Sequence, residues 1–445
     1  MKTFYTLLAT AALGLGSLGA WADDASTAAS SENPQRHRHD KRNTVWIIGA
    51  DPQTDDVWML KGRAIDIYAQ TVKPGFQQSG VPNFIISDRA NKAVFGIGGF
   101  VSFRTTYDWS NVIQNKDFVT YDIPMIQTPS NKQRFRMDAS TSRLFFKTIV
   151  HTKALGNIET YVETDFRGGD NVLRLREAYV SFKGLTFGQR TTTFVDLDAA
   201  PTTIDFQGPN AYTYQRNLMV RYHLQISPNW EFAVAAEMPG VSATTPGEAA
   251  YIVPQRVPDF PVYFQYNWAQ GRSHLRASGI IRTMNYYDNV NLSTITKVGW
   301  GAMLSGRIAL SRAANVFGQV VYGEGIENYI QDLNGNGYDL VSNPLRSGRL
   351  QTLPAMGWLA GFQVNFSPSW QMNAAYSQVS VWNRNNYFAQ APDTYRLSQY
   401  IVGNLFYHIT PAFSVGAEYL YGTRKNADHA KAHANRAQMM VQFNF

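Results

Sequence analysis

Ala434 to Phe445 reads ANRAQMMVQFNF. Counting back from Phe445, Phe443, Val441, Met439 and Ala437 are apolar, whereas Asn444, Gln442, Gln438 and Arg436 are polar. Side-chain character thus alternates with the period of an extended strand, leaving one greasy face and one wet face. A strand of this kind that ends on an aromatic residue is how the closing strand of a bacterial outer-membrane barrel is written. The competing reading is a half-buried strand of a soluble sandwich. The rest of the chain decides between them.

The chain opens MKTFYTLLATAALGLGSLGAWADD. Lys2 supplies a basic start, Leu7 to Leu18 an apolar core, and Ala20-Trp21-Ala22 a cleavage site, so residues 1–22 read as a secretory signal peptide. No later run of about eighteen apolar residues could form a membrane-spanning helix. A membrane would therefore have to be crossed by a closed barrel. The 445 residues include no cysteine, which excludes a disulfide framework and a thiolate metal site in an exported, oxidising compartment. Aromatic residues make up 13% of the chain, as expected where tyrosine girdles both membrane interfaces. Lys plus Arg number 40 against 33 Asp plus Glu, a net charge of +7. On an exported barrel that surplus points to anionic solutes rather than to nucleic acid.

Residues 23–44 are small, polar and charged, with almost nothing to bury, and read as a disordered periplasmic tail. Within 45–93, VWIIGA and the alternating AIDIYAQ (Ala64 to Gln70) have the character of ordered strand. Together 23–95 form an amino-terminal segment for which a periplasmic cap and a piece inserted in the lumen are both open. From Gly96 onward sixteen strand-like runs follow, so 96–445 is the barrel domain and the fold class is all-β, a transmembrane antiparallel β-barrel. Very short connections (Lys183-Gly184, Ser227 to Trp230, Gln270 to Ser273, Ser311 to Ala314, Ser367 to Trp370, Thr410 to Phe413) mostly alternate with long polar loops. Short periplasmic turns and longer outer loops have this rhythm, and a sandwich gives no reason for it.

The faces follow strand by strand. In the sixth run Leu218, Val220, Tyr222, Leu224 and Ile226 share one face, with Arg221, His223 and Gln225 opposite. An arginine facing lipid at the bilayer midplane would cost roughly 2 to 4 kcal/mol, so the strand arginines should point inward. This register lines the lumen with Arg104, Arg134, Arg136, Arg174, Arg176, Arg190, Arg221, Arg276, Arg282, Arg307, Arg396 and Arg436. Against them stand Asp138, Glu159, Glu163, Asp165, Glu231, Glu237 and Glu418. The wall is net positive, and guanidinium suits planar recognition of carboxylate or phosphate. Arg174 and Arg176 leave one face of one strand about 7 Å apart, a spacing that would let them engage both ends of a small diacid. The register breaks after Ser142, where Arg143 and Lys147 fall out of phase, and at Glu177. A bulge or a protomer interface would explain either.

The connection Val195 to Tyr214, after the fifth strand, is where sixteen-stranded porins fold a loop inward. Asp196, Asp198 and Asp205 on it would face the arginines of strands four and five as a constriction; the alternative is a loop lying on the outer surface. Farther on, Asp332, Asn334 and Asn336 copy the first half of a calcium loop, but its twelfth position is Asn343, and a plain Asn/Gly turn competes. No other cofactor is expected. Nor is an enzyme, since His223 and His408 lie on widely separated strands with no motif around a serine.

GIGGFVSFRTTYDW (Gly96 to Trp109), RFRMDASTSRLFFKT (Arg134 to Thr148), LRLREAYVSF (Leu173 to Phe182) and FGQRTTTFVD (Phe187 to Asp196) resemble the DcaP-like family of outer-membrane porins. The resemblance covers roughly Val94 to Phe445. It implies a homotrimer in outer-membrane lipid, sixteen strands per protomer, an arginine-lined narrow lumen that includes Arg174, Arg176 and Arg190, and passive uptake of small anionic solutes such as dicarboxylates. Residues 23–95 depart from the family members that carry a periplasmic coiled coil, because they show no apolar heptads. A phosphate-selective channel and a purely structural barrel are the alternatives.

Overall fold

The computed structural model describes residues 44–445 apart from 52, 73, 74 and 76; the signal peptide and nearly all of the polar tail lie outside the described residues. The barrel strands are, in order, Ala93–Trp109, Gln133–Asp138 continued by Arg143–Thr152, Gly156–Asp165, Arg174–Phe182, Leu185–Thr191, Arg216–Gln225, Trp230–Glu237 and Phe260–Trp268. Ser273–Asp288, Ser293–Ala309, Ala314–Glu324, Pro354–Ser367, Trp370–Val381, Tyr395–His408, Phe413–Asn426 and Lys431–Asn444 complete the sixteen. Each pairs antiparallel with its neighbours. The sixteenth closes on the first, with Asn435 opposite Trp109 and Asn444 opposite Phe100. Closure satisfies the backbone of both end strands, which hydrocarbon would otherwise leave unpaired.

Alternation fixes the faces as expected: on the closing strand Met439 is 64% exposed, while Gln438 and Arg436 are buried. Both breaks in register have local causes. The second strand is interrupted between Asp138 and Arg143, and the first strand pairs with Gln133–Asp138 through Arg104–Trp109 and with Arg143–Val150 through Ala93–Phe100. The interruption flips the phase, so Arg143, Phe145, Lys147 and Ile149 turn inward. At Glu177 the ladder to the third strand shifts between Glu163 and Thr164. This bulge leaves Arg176 and Glu177 adjacent and both buried.

Before the barrel, Thr44–Ile48 pairs parallel with Phe84–Asp88, which pairs in turn with the first barrel strand at Val94–Ile97. This ribbon extends the wall past the end of the closing strand, at the end carrying the short turns. Between its strands lies a helix, Val57–Ala69, capped by the Asp56 carboxylate, which accepts from Met59 N at 3.0 Å. The strand character read into Ala64 to Gln70 is thus corrected. Ala64 and Tyr68, four residues apart, share the helix face that packs on Ile85, Val94, Phe145 and Ile149. Gly96 admits Tyr68 to the inner wall, since a Cβ there would lie 2.4 Å from the ring.

The wall is uneven in height. Strands four to eight have 9, 7, 10, 8 and 9 residues, whereas the ninth and tenth have 16 and 17.

Candidate functional site

Three loops fold into the lumen and interlock. The loop after the fifth strand lies inside the barrel, anchored to strands nine to fifteen. Asp196 Oδ2 accepts from His274 Nε2 and Ser305 Oγ, both at 2.7 Å. The Glu418 carboxylate accepts from Ile204 N and Asp205 N at 2.8 Å each, and also from Asn404 and Gln438. Asp205 in turn accepts from Phe118 N at 3.0 Å and from Tyr400 Oη at 3.1 Å. Phe118, Ile113 and Ile123 of the first outer loop pack with Val195 and Tyr212 against Leu359, Val402 and Leu420. The outer loop containing Asp332 joins through its backbone, with Gln331 N donating to Tyr212 O and Asp332 N to Asn210 O, both at 3.0 Å.

Open space therefore remains mainly beside the opposite wall. A chamber of about 1100 Å³ is lined by Arg190, Arg221 and Arg276 and by Glu159, Asp196, Asp198 and Glu231. A second cavity of about 400 Å³ adjoins Arg104, Arg143 and Arg307. Leu197 and Asp198 border both.

Nine of the twelve expected pore arginines divide into three groups. Arg190 lies 4.4 Å over Tyr179, and Arg276 lies 4.1 Å over Tyr263. Arg221 Nε donates to Thr193 Oγ1 at 2.8 Å, while Arg276 donates to Gln265 Oε1 at 2.7 Å and to Val195 O. These three and Arg307 face open cavity. Arg174 and Arg176 do project from one face, but they are not free to grip a diacid. Arg174 Nη2 sits 2.6 Å from Asp165, and Arg176 bridges Glu163 at 2.6 Å and Asp165 at 2.9 Å. The Phe206 ring lies over Arg167, Arg174 and Arg176 at 4.2, 5.8 and 5.2 Å.

Arg136, Arg282 and Arg436 are tied to loops rather than to the pore. Arg136 donates to the carbonyls of Gln114 and Asn115 at 2.9 Å each. Arg436 clamps Asp108 at 2.5 and 3.1 Å and holds Lys116 O. Arg282 pairs with Asp259 and Asp339 at 3.2 Å each, fixing two outer loops. Arg282 and Arg436 are at most 1% exposed and do not line the lumen as expected.

The inward loop also differs in detail from the expectation. Asp196 and Asp205 are anchors facing strands nine, ten and fourteen, not acids opposed to strands four and five; Phe206 occupies that place. Burial opposes ionisation of Asp196, but Arg276 and His274 outweigh it and hold its carboxyl well below the usual range. Asp198 is pushed up by burial and by the neighbouring Asp196.

The three residues of the calcium expectation are engaged with other parts of the protein. Asp332 is spent on Tyr121 N at 2.9 Å and on Tyr395 Oη and Ser398 Oγ at 2.7 Å each, while Asn334 and Asn336 donate to the Asn328 and Asp332 carbonyls. Among the described residues no three His, Asp or Glu side chains are grouped to hold a metal. Arg143 and Phe206 were missed as site residues. The out-of-phase position of Arg143 was its only sequence signal, and Phe206 had none.

A closed sixteen-stranded barrel with a lipid-facing belt, an inward loop and a charged lumen defines an outer-membrane porin. The sequence model of the DcaP outer membrane protein family matches residues 78–445, and the chain belongs to that family. Among solved structures, the outer membrane channel DcaP of Acinetobacter baumannii is similar at 21% identity and TM-score 0.69, over 81% of this chain and 99% of that one. The outer membrane protein OmpT of Vibrio cholerae shares 11% identity at TM-score 0.50, over 80% and 98%. An anion-selective porin from Comamonas acidovorans shares 9% at TM-score 0.50, over 79% and 100%. No curated protein sequence matches the chain.

Proposed function

We propose that this outer-membrane porin is a passive channel preferring small anions, carboxylates among them, and that it works as a homotrimer rather than as an enzyme. One observation carries the anion preference. In the larger chamber two guanidinium groups are held by neutral oxygens: Arg221 donates to Thr193 and Thr191, and Arg276 to Gln265 and Val195. Three of the four acids of the same chamber are engaged: Glu231 with His223 at 3.1 Å, Glu159 with Lys147 at 3.0 Å, and Asp196 with His274 at 2.7 Å. Guanidinium charge hydrogen-bonded to neutral oxygens in a confined, partly desolvated space raises the local concentration of anions.

The low wall supports the trimer. At about 3.3 Å per residue and a tilt of about 40°, the seven to nine residues of strands four, five, seven and eight rise roughly 18 to 23 Å, short of the apolar band of about 25 Å, so another copy would cover this side of the barrel. His223 is bonded to Glu231 and His408 to Ser414, on the sixth and fourteenth strands, which supports structural roles for both.

The test is Arg221→Glu with Arg276→Glu. At low salt the anion-over-cation permeability ratio should fall tenfold or more, and by less as ions screen the wall. An unchanged ratio in an assembled barrel would remove these arginines from the path. Block by phosphate compared with block by a small dicarboxylate separates the two anion classes.

A further inference from the structure

Between helix and ribbon, the described residues of the pre-barrel unit enter the lumen and meet the inward loop. A Cβ on Gly75 would lie 2.8 Å from Leu197 Cβ and 3.1 Å from the Asp198 carboxylate. Two residues on, Gln77 touches three parts of the channel at once. Its amide donates to Phe206 O of the inward loop, and its Oε1 accepts from Arg176 Nη2 at 3.1 Å. Its main-chain oxygen accepts from Arg143 Nη1 at 2.5 Å. Ser79 Oγ donates to Glu163 at 2.6 Å, and Lys147 Nζ donates to Thr71 O at 3.1 Å.

These contacts partition the periplasmic half of the lumen. Gly75, Gln77 and Gln78 line the smaller cavity, Gln70 and Thr71 line the larger chamber, and Leu197 and Asp198 complete the divide. Gln77 also sits at a surplus of positive charge, because among the described residues Arg143, Arg174 and Arg176 pair with two carboxylates, Glu163 and Asp165. Among the described residues, buried Arg143 Nε has no hydrogen-bond partner.

We infer that Gln77 is a specificity-determining residue of the channel: a neutral keystone, supplied from before the barrel, that joins the wall arginines to the inward loop. Its lack of charge leaves the surplus uncompensated. An acid here would cancel it, and a base would add to it. The inference rests on the channel reading but not on the anion preference of the native protein.

The chain has no cysteine, so Gln77→Cys provides a single thiol in the full-length protein. In planar bilayers it is treated with sulfonatoethyl or trimethylammonioethyl methanethiosulfonate. Either reagent should lower conductance about twofold or more. The sulfonate should lower the anion-over-cation permeability ratio about tenfold and the ammonium should raise it by a similar factor, because one charge about 6 Å from the path in water shifts anion and cation about threefold each, in opposite senses. Confirmed labelling with no change in either quantity overturns the inference. If Gln77→Cys does not assemble or label, Gln77→Glu and Gln77→Asn decide. The ratio should fall about tenfold for Glu and stay at the native value for Asn, and equal ratios overturn the inference. A native channel without anion preference would sink the earlier reading, yet opposite shifts with the two reagents would still stand.

Discussion

Glu418→Ala should release the inward loop while leaving the barrel closed. The Glu418 carboxylate accepts the amides of Ile204 and Asp205, both at 2.8 Å, and is 4% exposed, so water cannot replace it without the loop moving. A buried donor left without a partner costs about 1–3 kcal/mol, so two orphaned amides weaken docking by about 2–6 kcal/mol, or roughly 30-fold to 10⁴-fold in the docked population. The loop keeps its other anchors at Asp196 and Asn210 and should open locally rather than dissociate. Hydrogen exchange of the amides at 204 and 205, read in detergent-solubilised barrels, should accelerate by such a factor. Single-channel current should become noisier. Glu418→Gln keeps one acceptor oxygen and should fall between. Native protection of both amides in the alanine variant would refute the pinning argument.

Two more outcomes follow from named contacts. Phe445 exchanges both backbone hydrogen bonds with Gly99 at 3.0 Å, so deleting it should lower the yield of heat-modifiable barrel while export continues; normal yield would mean that this pairing does not guide closure. Asp259, Asp339 and Glu327 crowd around one cation, Arg282, and burial pushes all three carboxyls up, Asp259 to about 6 despite the guanidinium. Docked loops therefore bind protons more tightly than free ones, so docking is strongest in acid and weakens as pH rises from the ordinary carboxylate range through about 6. Proteolysis of the loop at 327–353 should be faster at pH 7.5 than at pH 5, and a flat or reversed profile would contradict this.

The barrel was legible because lipid imposes a rule on every second residue. Met439 and Gln438 had to face opposite ways, and the same logic ran through all sixteen strands. Arg143 and Glu177 violated the rule, and both mark real features, an interrupted strand and a bulge. Alternation says which way an arginine points, but it is silent on what the arginine then meets. Arg436 and Arg282 point inward like Arg221, yet Asp108 of the first strand, and Lys116, Asp259 and Asp339 on loops distant in sequence, meet them and consume their charge. The pre-barrel unit was illegible for a related reason. Isoleucines at alternate positions in Ala64 to Gln70 suit a strand, while the signals that win are the Asp56 cap and the four-residue spacing of Ala64 and Tyr68.

The most direct measurement is the reversal potential of the unmodified channel across a tenfold KCl gradient at low ionic strength. With Arg221 and Arg276 held by neutral oxygens in the open chamber, its sign should be that of chloride permeating faster than potassium, and its size should shrink as salt rises. A potential of zero, or one of the cation-preferring sign, would contradict the account.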